Sequence, residues 1–484
     1  MRKANMASNQ STDVVLEDHS RLLPASPTSE YIHSSILSLS IIGVFELEIP
    51  IEDSKATTLL RDLFLPINPR FSSTLVNDDK GAQRWKRVDV RLEDHVKVPH
   101  FPTGLPPATY DDYLQGYLSK IALDQLPENR PLWEIHIIKY PTSDAAGTVV
   151  FKLHHALGDG FSLMGALFSC LKRADDPSLP LTFPAYSAKT AASLRSHWMA
   201  VASKKLFNIA AGCWYTTPDF VQSVLHSTVL EDDWTAIRSG TPQVELEPVT
   251  ISTVTFCLDR IRQIKSKIAG TVNDVMVGII FYAIQLYQQR MGRIWSSQRM
   301  TALVLLNTRM INGYHSVKEM LKKKTWGNHF TFLQIAIPSC SNAEKENPLA
   351  FLIKAKKTIK RKRHSLAVYL TGRLVQMLRT ILGPETASRY IHSTLKNTTT
   401  AISSLVGPIE KAGMADHPVK SFYFTVAGAP QSLSLTMVSY MGKLWLAVAA
   451  EREFIDSQLL VYCLEEAYDK VHREACGKEG TQSK

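Results

Sequence analysis

Several familiar signatures are missing from this sequence, and each absence removes a class of protein. Its six cysteines, Cys170, Cys213, Cys257, Cys340, Cys463 and Cys476, are scattered through 484 residues with no Cys-x-x-Cys pair. That spacing suits neither a disulfide framework nor a zinc site, and it fits idle thiols in a reducing compartment. No run reaches the roughly 20 apolar residues that a helix needs to span a bilayer. The nearest stretches, Leu206–Pro218 and Val275–Gln289, are short or fade into glutamine. The first residues mix Arg2, Lys3, Asp13, Glu17 and Asp18 without an apolar segment, which is not the pattern of a secretory signal. There is no glycine-rich dinucleotide loop, no fixed-period repeat and no zinc-finger, ribonucleoprotein or basic-zipper motif.

What is present describes a globular chain with real cores: 45% hydrophobic and 21% charged residues, at a length that favours two domains. The net charge of +10 fits a partner carrying phosphates, either an anionic membrane surface or a phosphorylated small molecule such as coenzyme A, with nucleic acid ranked last.

Both halves mix strand and helix patterns, an α/β (α+β mixed) class. Leu132–Lys139 alternates as a half-buried strand, and Tyr110–Leu126 carries Tyr113, Tyr117, Leu118 and Ile121 near helical spacing. Thr148–His154 reads as a strand and Phe161–Lys172 as a helix, with Gly158 and Gly160 breaking the pattern between them. The expected division is residues 1–180, a linker with crossover helices over 181–240, and 241–484. Within the linker, Thr190–His226 carries Trp198, Phe207, Trp214, Lys204 and Lys205, a composition shared by interfacial membrane helices and ordinary crossover helices. Thr271–Gln289 is a strongly apolar helix that opens with cap-forming residues, and Leu459–His472 closes the chain as a helix. Lys354, Lys356, Lys357, Lys360, Arg361, Lys362 and Arg363 form a basic run, read either as a solvated face or as a contact for phosphates or head groups.

The sharpest signal is His154-His155-Ala156-Leu157-Gly158-Asp159-Gly160, set where a strand ends and a loop begins. A metal site needs further ligands, and none stands nearby at usual spacing. A structural histidine pair is the plain alternative. An imidazole of pKa about 6.5 can take the proton of an alcohol as it attacks a thioester, help worth about 10²–10⁴ in rate, and then protonate the leaving thiolate. Asp159 can brace the loop by pairing with a distant arginine. Gly160 permits a conformation or a close approach that a Cβ would block.

These residues resemble the plant-type wax ester synthase/diacylglycerol acyltransferase family, within the coenzyme A-dependent acyltransferases that share the histidine motif. The resemblance runs over nearly the whole chain. It rests on Asn68-Pro69-Arg70-Phe71-Ser72-Ser73, Asp94-His95-Val96, Arg130-Pro131-Leu132-Trp133-Glu134, the histidine motif, Thr271-Val272-Asn273-Asp274-Val275, Leu306-Asn307-Thr308-Arg309, Trp326-Gly327-Asn328 and Ser403-Ser404-Leu405-Val406-Gly407-Pro408.

The resemblance implies a two-domain chloramphenicol-acetyltransferase-like fold with a tunnel at the interface. It implies His155 as general base supported by His154, Asn273 and Asp274 lining the tunnel, and Arg309 bridging to Asp159. Asn273 is also a candidate for stabilising the oxyanion, and helix capping is its plain alternative. No cofactor is implied, because acyl-CoA is a substrate. The expected acceptor is a long-chain alcohol, with diacylglycerol second, and the expected location is the cytosolic face of the endoplasmic reticulum membrane, with the plasma membrane second. The rivals are a related enzyme with another alcohol or amine acceptor and a non-catalytic lipid binder. Two departures, Met310 in place of a common proline and His329-Phe330 after Trp326-Gly327-Asn328, bear on the acceptor channel.

Overall fold

The structure is a computed structural model. It describes residues 22–52, 54–79, 82–184, 215–292, 298–309, 316–340, 342–343 and 347–477. Trp198, Phe207, Trp214 and Met310 lie outside them, as does most of 190–226.

The strand Gly147–His154 delivers the motif. It lies in a seven-stranded sheet ordered Val96–Lys97, Trp133–Ile138, Gly147–His154, Ser40–Leu47, His417–Ala427, Ala412–Met414 and Lys172–Arg173. Its pairing with Ser40–Leu47 is antiparallel and sets His154 opposite Ser40. Every residue of Gly147–His154 is buried, on both faces. Val149, Phe151 and Leu153 face one core with the helix Gly160–Ser169, while Val150 faces the layer that joins the two halves.

The neighbouring strand corrects an expectation. Trp133–Ile138 is not half-buried; only Glu134 is partly exposed. Its polar residues are partly partnered inside: Arg130 meets Glu134 at 2.6 Å and Tyr117 meets His136 Nδ1 at 2.8 Å, while His136 Nε2 is buried without a hydrogen bond. Burial, with Lys152 next, pushes the His136 pKa down to about 3. The helix Pro107–Leu123 also turns differently from expectation. Its buried stripe is Tyr110, Leu114, Leu118 and Ile121, and Tyr113 is exposed.

A second sheet of six strands runs Phe330–Ala336, Thr301–Asn307, Thr400–Val406, Leu433–Tyr440, Lys443–Glu451 and Val249–Cys257. At the centre of its core lies the helix Val272–Arg290, buried continuously from Asp274 to Gln288. Each fully buried aliphatic side chain there contributes roughly 1.5–3 kcal/mol, which explains the apolar run without a bilayer. Gly278 lets that helix close on Pro348–His364, since a Cβ would sit 2.6 Å from Leu352 Cα. Among the described residues no single helix is long and apolar enough to cross a membrane.

Strand membership does not follow the chain halves. His417–Ala427 and Ala412–Met414 leave the second half and complete the first sheet, with Phe422 opposite Phe45 and Ala427 opposite Ser40. The inner layer then joins Ile42, Val44, Leu118 and Val150 to Ile251, Ala447 and Ala449 of the second sheet.

Candidate active site

The two histidines leave the strand with different assignments. The backbone N–H of Ala156 donates to His154 Nδ1 at 3.0 Å, so Nε2 carries the ring proton and donates to Ser38 Oγ at 3.1 Å. Both nitrogens are occupied. Burial, together with the neighbouring His33, holds the His154 pKa well below 6.5, and the ring is neutral. His154 is a fixture of the loop.

His155 is held by the other side of the site. Its backbone N–H donates to the Leu39 carbonyl at 2.8 Å. Asn328 Nδ2 donates to the His155 carbonyl at 2.9 Å, and Asn328 Oδ1 stands 2.8 Å from His155 Nδ1. A carbonyl can only accept, so the amide has one orientation. Its oxygen then needs a hydrogen on Nδ1, and the lone pair is left on Nε2. Among the described residues Nε2 has no hydrogen-bond partner. Burial lowers the His155 pKa, partly opposed by Asp159, so this lone pair is available at neutral pH.

Asp159 and Arg309 build the frame for Asn328. Arg309 Nη1 and Nη2 reach the two carboxylate oxygens at 2.7 and 2.9 Å, a bidentate pair. The carboxylate also caps the helix Gly160–Ser169 through Ser162 N–H at 3.0 Å and accepts from His329 N–H at 2.9 Å. Arg309 further binds the carbonyls of Thr325 and Gly327 at 2.8 and 2.7 Å. The segment 325–329 is thus tied on both sides of Asn328. Gly327 has φ +119, a conformation that L side chains rarely adopt.

The other expected residues have local contacts of their own. Asp274 belongs to a capping box with Thr271, accepting its N–H at 2.8 Å while Thr271 Oγ1 accepts in return at 3.1 Å. Asn273 is half-buried one residue earlier. Among the described residues neither shares a hydrogen bond with the histidine loop. Gly160 is not at positive φ, and a Cβ there would meet Leu405 Cδ1 at 3.4 Å, an ordinary contact, so neither an unusual conformation nor a blocked approach accounts for it. The residue missed in the sequence was Asn328. It stood inside a recognised triplet, but nothing local ties it to a partner 173 residues away.

Comparison with known proteins gives this geometry a family. A model of the wax ester synthase/diacylglycerol acyltransferase catalytic domain matches residues 55–276, and one of the C-terminal domain of the same family matches residues 326–472. The chain belongs to the wax ester synthase/diacylglycerol acyltransferase family. It is an acyltransferase. Wax ester synthase/diacylglycerol acyltransferase 5 of Arabidopsis thaliana is 29% identical to it, over 88% of this chain and 89% of that one. Number 11 of the same plant is 28% identical over 88% and 90%. Among solved structures, the wax ester synthase/diacylglycerol acyltransferase of Marinobacter aquaeolei VT8 superposes with TM-score 0.59 at 16% identity, over 93% of this chain and 99% of that one. The first condensation domain of the CDA synthetase superposes with TM-score 0.56 at 12% identity, over 95% and 97%. The fold is therefore the mixed α/β, two-domain fold that the family shares with condensation domains.

Proposed function

We propose that the protein transfers a long-chain acyl group from acyl-CoA to a long-chain alcohol, giving a wax ester, and to diacylglycerol as a second acceptor. The observation that carries the chemistry is the free lone pair on His155 Nε2, set by Asn328. As the alcohol oxygen bonds to the thioester carbonyl carbon, Nε2 takes the hydroxyl proton. The tetrahedral adduct collapses, the C–S bond breaks, and the departing thiolate recovers the proton from Nε2–H. No acyl-enzyme forms, and Asp159 and Arg309 act by holding Asn328. A small recess between the halves, lined by residues that include Leu123, Ile251 and Ala427, is a place where substrate could approach.

The test is direct. Protein and His155→Ala are incubated with labelled palmitoyl-CoA, with hexadecanol and diacylglycerol in separate tubes. Wax ester from the wild type alone is expected, with less triacylglycerol. Equal product from a folded variant removes His155 from its role.

A membrane surface is the proposed workplace, specifically the cytosolic face of the endoplasmic reticulum, since both lipid substrates dissolve in a bilayer. Support comes from the helix Ala367–Leu382, which exposes Tyr369, Leu370, Met377, Ile381 and Leu382. Thr371 joins it to Ser223 on the helix over 215–228, which exposes Val221 and Leu225. Exposed Lys354, Lys357, Lys360 and Arg363 lie on the preceding helix, whereas Arg361 and Lys362 are spent on Asp219. Replacing Tyr369, Met377 and Ile381 together by serine should abolish flotation with phosphatidylserine vesicles; unchanged flotation sinks this surface.

A further inference from the structure

Arg70 is a half-buried cation that the reaction mechanism leaves unexplained. It sits on the short turn Pro69–Ser72, whose cap Asn68 accepts the Arg70 N–H at 3.0 Å. Its guanidinium carbon lies 5.5 Å from the centre of the Trp85 ring, and Nη1 donates to the Leu157 carbonyl at 3.1 Å. Nη1 is also 3.6 Å from where a Gly327 Cβ would stand. Arg70 therefore bonds the histidine loop two residues from His155 and stands close to Gly327, the neighbour of Asn328.

Other arginines that the fold encloses have carboxylates. Arg309 has Asp159, Arg238 has Glu231, Arg290 has Glu466 and Arg379 has Glu30. Among the described residues Arg70 has none. The one carbonyl it reaches is already shared with Trp326 Nε1 at 3.0 Å. Its Nε and Nη2 donors make no hydrogen bond to the described residues, yet neither is among the side-chain atoms sealed from solvent without a partner. Burial alone pulls its pKa down to about 10, with no neighbouring acid to oppose the shift, and it stays charged at neutral pH. A guanidinium partly desolvated without a counter-charge costs the folded protein something, and an anion arriving with a ligand offsets that cost.

The reaction proposed above brings one anionic component. Alcohol, diacylglycerol and acyl chain are uncharged, and the phosphates belong to the coenzyme A half of the donor. The planar fork of arginine matches phosphate oxygens with two parallel hydrogen bonds. Lys322, Lys323 and Lys324, all exposed, lead directly into the segment that carries Gly327, extending the positive field outward. Resting on that reading of the reaction, we propose that Arg70 binds a phosphate of the acyl-CoA donor beside the histidine loop, through its unused Nε and Nη2 donors, and that Lys322–Lys324 steer the donor toward it.

The experiment compares wild type, Arg70→Gln and Arg70→Lys on palmitoyl-CoA, palmitoyl-dephospho-CoA and the phosphate-free palmitoyl thioester of N-acetylcysteamine, with hexadecanol as acceptor. For Arg70→Gln the KM for palmitoyl-CoA should rise by about 10-fold or more, the loss expected for one charge-assisted contact. Its kcat should change far less, and so should turnover of the N-acetylcysteamine thioester. Arg70→Lys should recover part of the KM. Retention of the effect with the dephospho donor assigns the contact to the pyrophosphate, and its disappearance assigns it to the 3′-phosphate. Equal losses on all three thioesters overturn the proposal, because Arg70 then only holds the Leu157 loop. Calorimetric titration with free coenzyme A separates this question from turnover: affinity unchanged in Arg70→Gln overturns the phosphate contact even if the acceptor assignment is wrong.

Discussion

Asn328→Asp is the most informative substitution at the site. Aspartate keeps an oxygen beside His155 Nδ1, where Asn328 Oδ1 now stands at 2.8 Å, and adds a negative charge. It also loses the N–H that serves the His155 carbonyl. Two unit charges about 4 Å apart interact by about 4 kcal/mol at an effective dielectric of 20, an upper bound before the carboxylate is desolvated. Opposite charges at such range shift a pKa by about 1–3 units. His155 must be neutral to accept the alcohol proton. In the wild type burial lowers its pKa below 6.5, so activity should persist in mildly acidic buffer and fall only at lower pH. The aspartate stabilises imidazolium, raises that pKa and moves the acid limb of the kcat/KM profile upward by about 1–2 units. Asn328→Ala makes the contrasting case. It removes a hydrogen bond worth about 1 kcal/mol that selects the Nδ1–H tautomer, so kcat should fall about 5- to 10-fold with no upward shift of the limb. The assay is initial rate across pH with palmitoyl-CoA and hexadecanol. An aspartate variant whose acid limb coincides with that of the wild type would refute the tautomer argument.

Two further outcomes follow from the frame around Asn328. Arg309→Leu leaves the Asp159 carboxylate buried without its guanidinium and should cost about 3–5 kcal/mol, while Arg309→Leu with Asp159→Leu should cost less than the two single changes summed; thermal and denaturant unfolding measure both, and a single variant within about 1 kcal/mol of wild type contradicts the buried-pair reading. Gly327→Ala forces a Cβ onto φ +119, at a cost of about 1–3 kcal/mol, and should lower kcat as well because Asn328 is the next residue; an unchanged Tm contradicts the strain.

How much of this was legible in the sequence depends on the range of the interactions. The histidine motif, the strand before it and the helix after it are local, and their apolar spacing was enough to read them. Thr271 and Asp274 were legible as a cap for the same reason, since three residues separate the partners. Asn328 was not, because no spacing rule relates positions 155 and 328. The burial of Trp133–Ile138 on both faces was hidden by Glu134 and His136, which look solvent-facing until Arg130 and Tyr117 are seen to partner them. Arg309 was found only through resemblance to a family, and its hydrogen bonds to Thr325 and Gly327 had no signal at all.

The hairpin that crosses from the second half into the first sheet makes the two halves a single heritable object. Ser40–Leu47 is flanked on one side by a strand more than 360 residues downstream, so the motif-bearing sheet cannot close until most of the polypeptide has been synthesised. Before then that flank is a bare row of backbone donors and acceptors, open to any passing strand. Such distant pairing makes for slow folding. It also forbids recombination of one half with a foreign partner, since an exchange anywhere between them strips a strand from the sheet that presents His155.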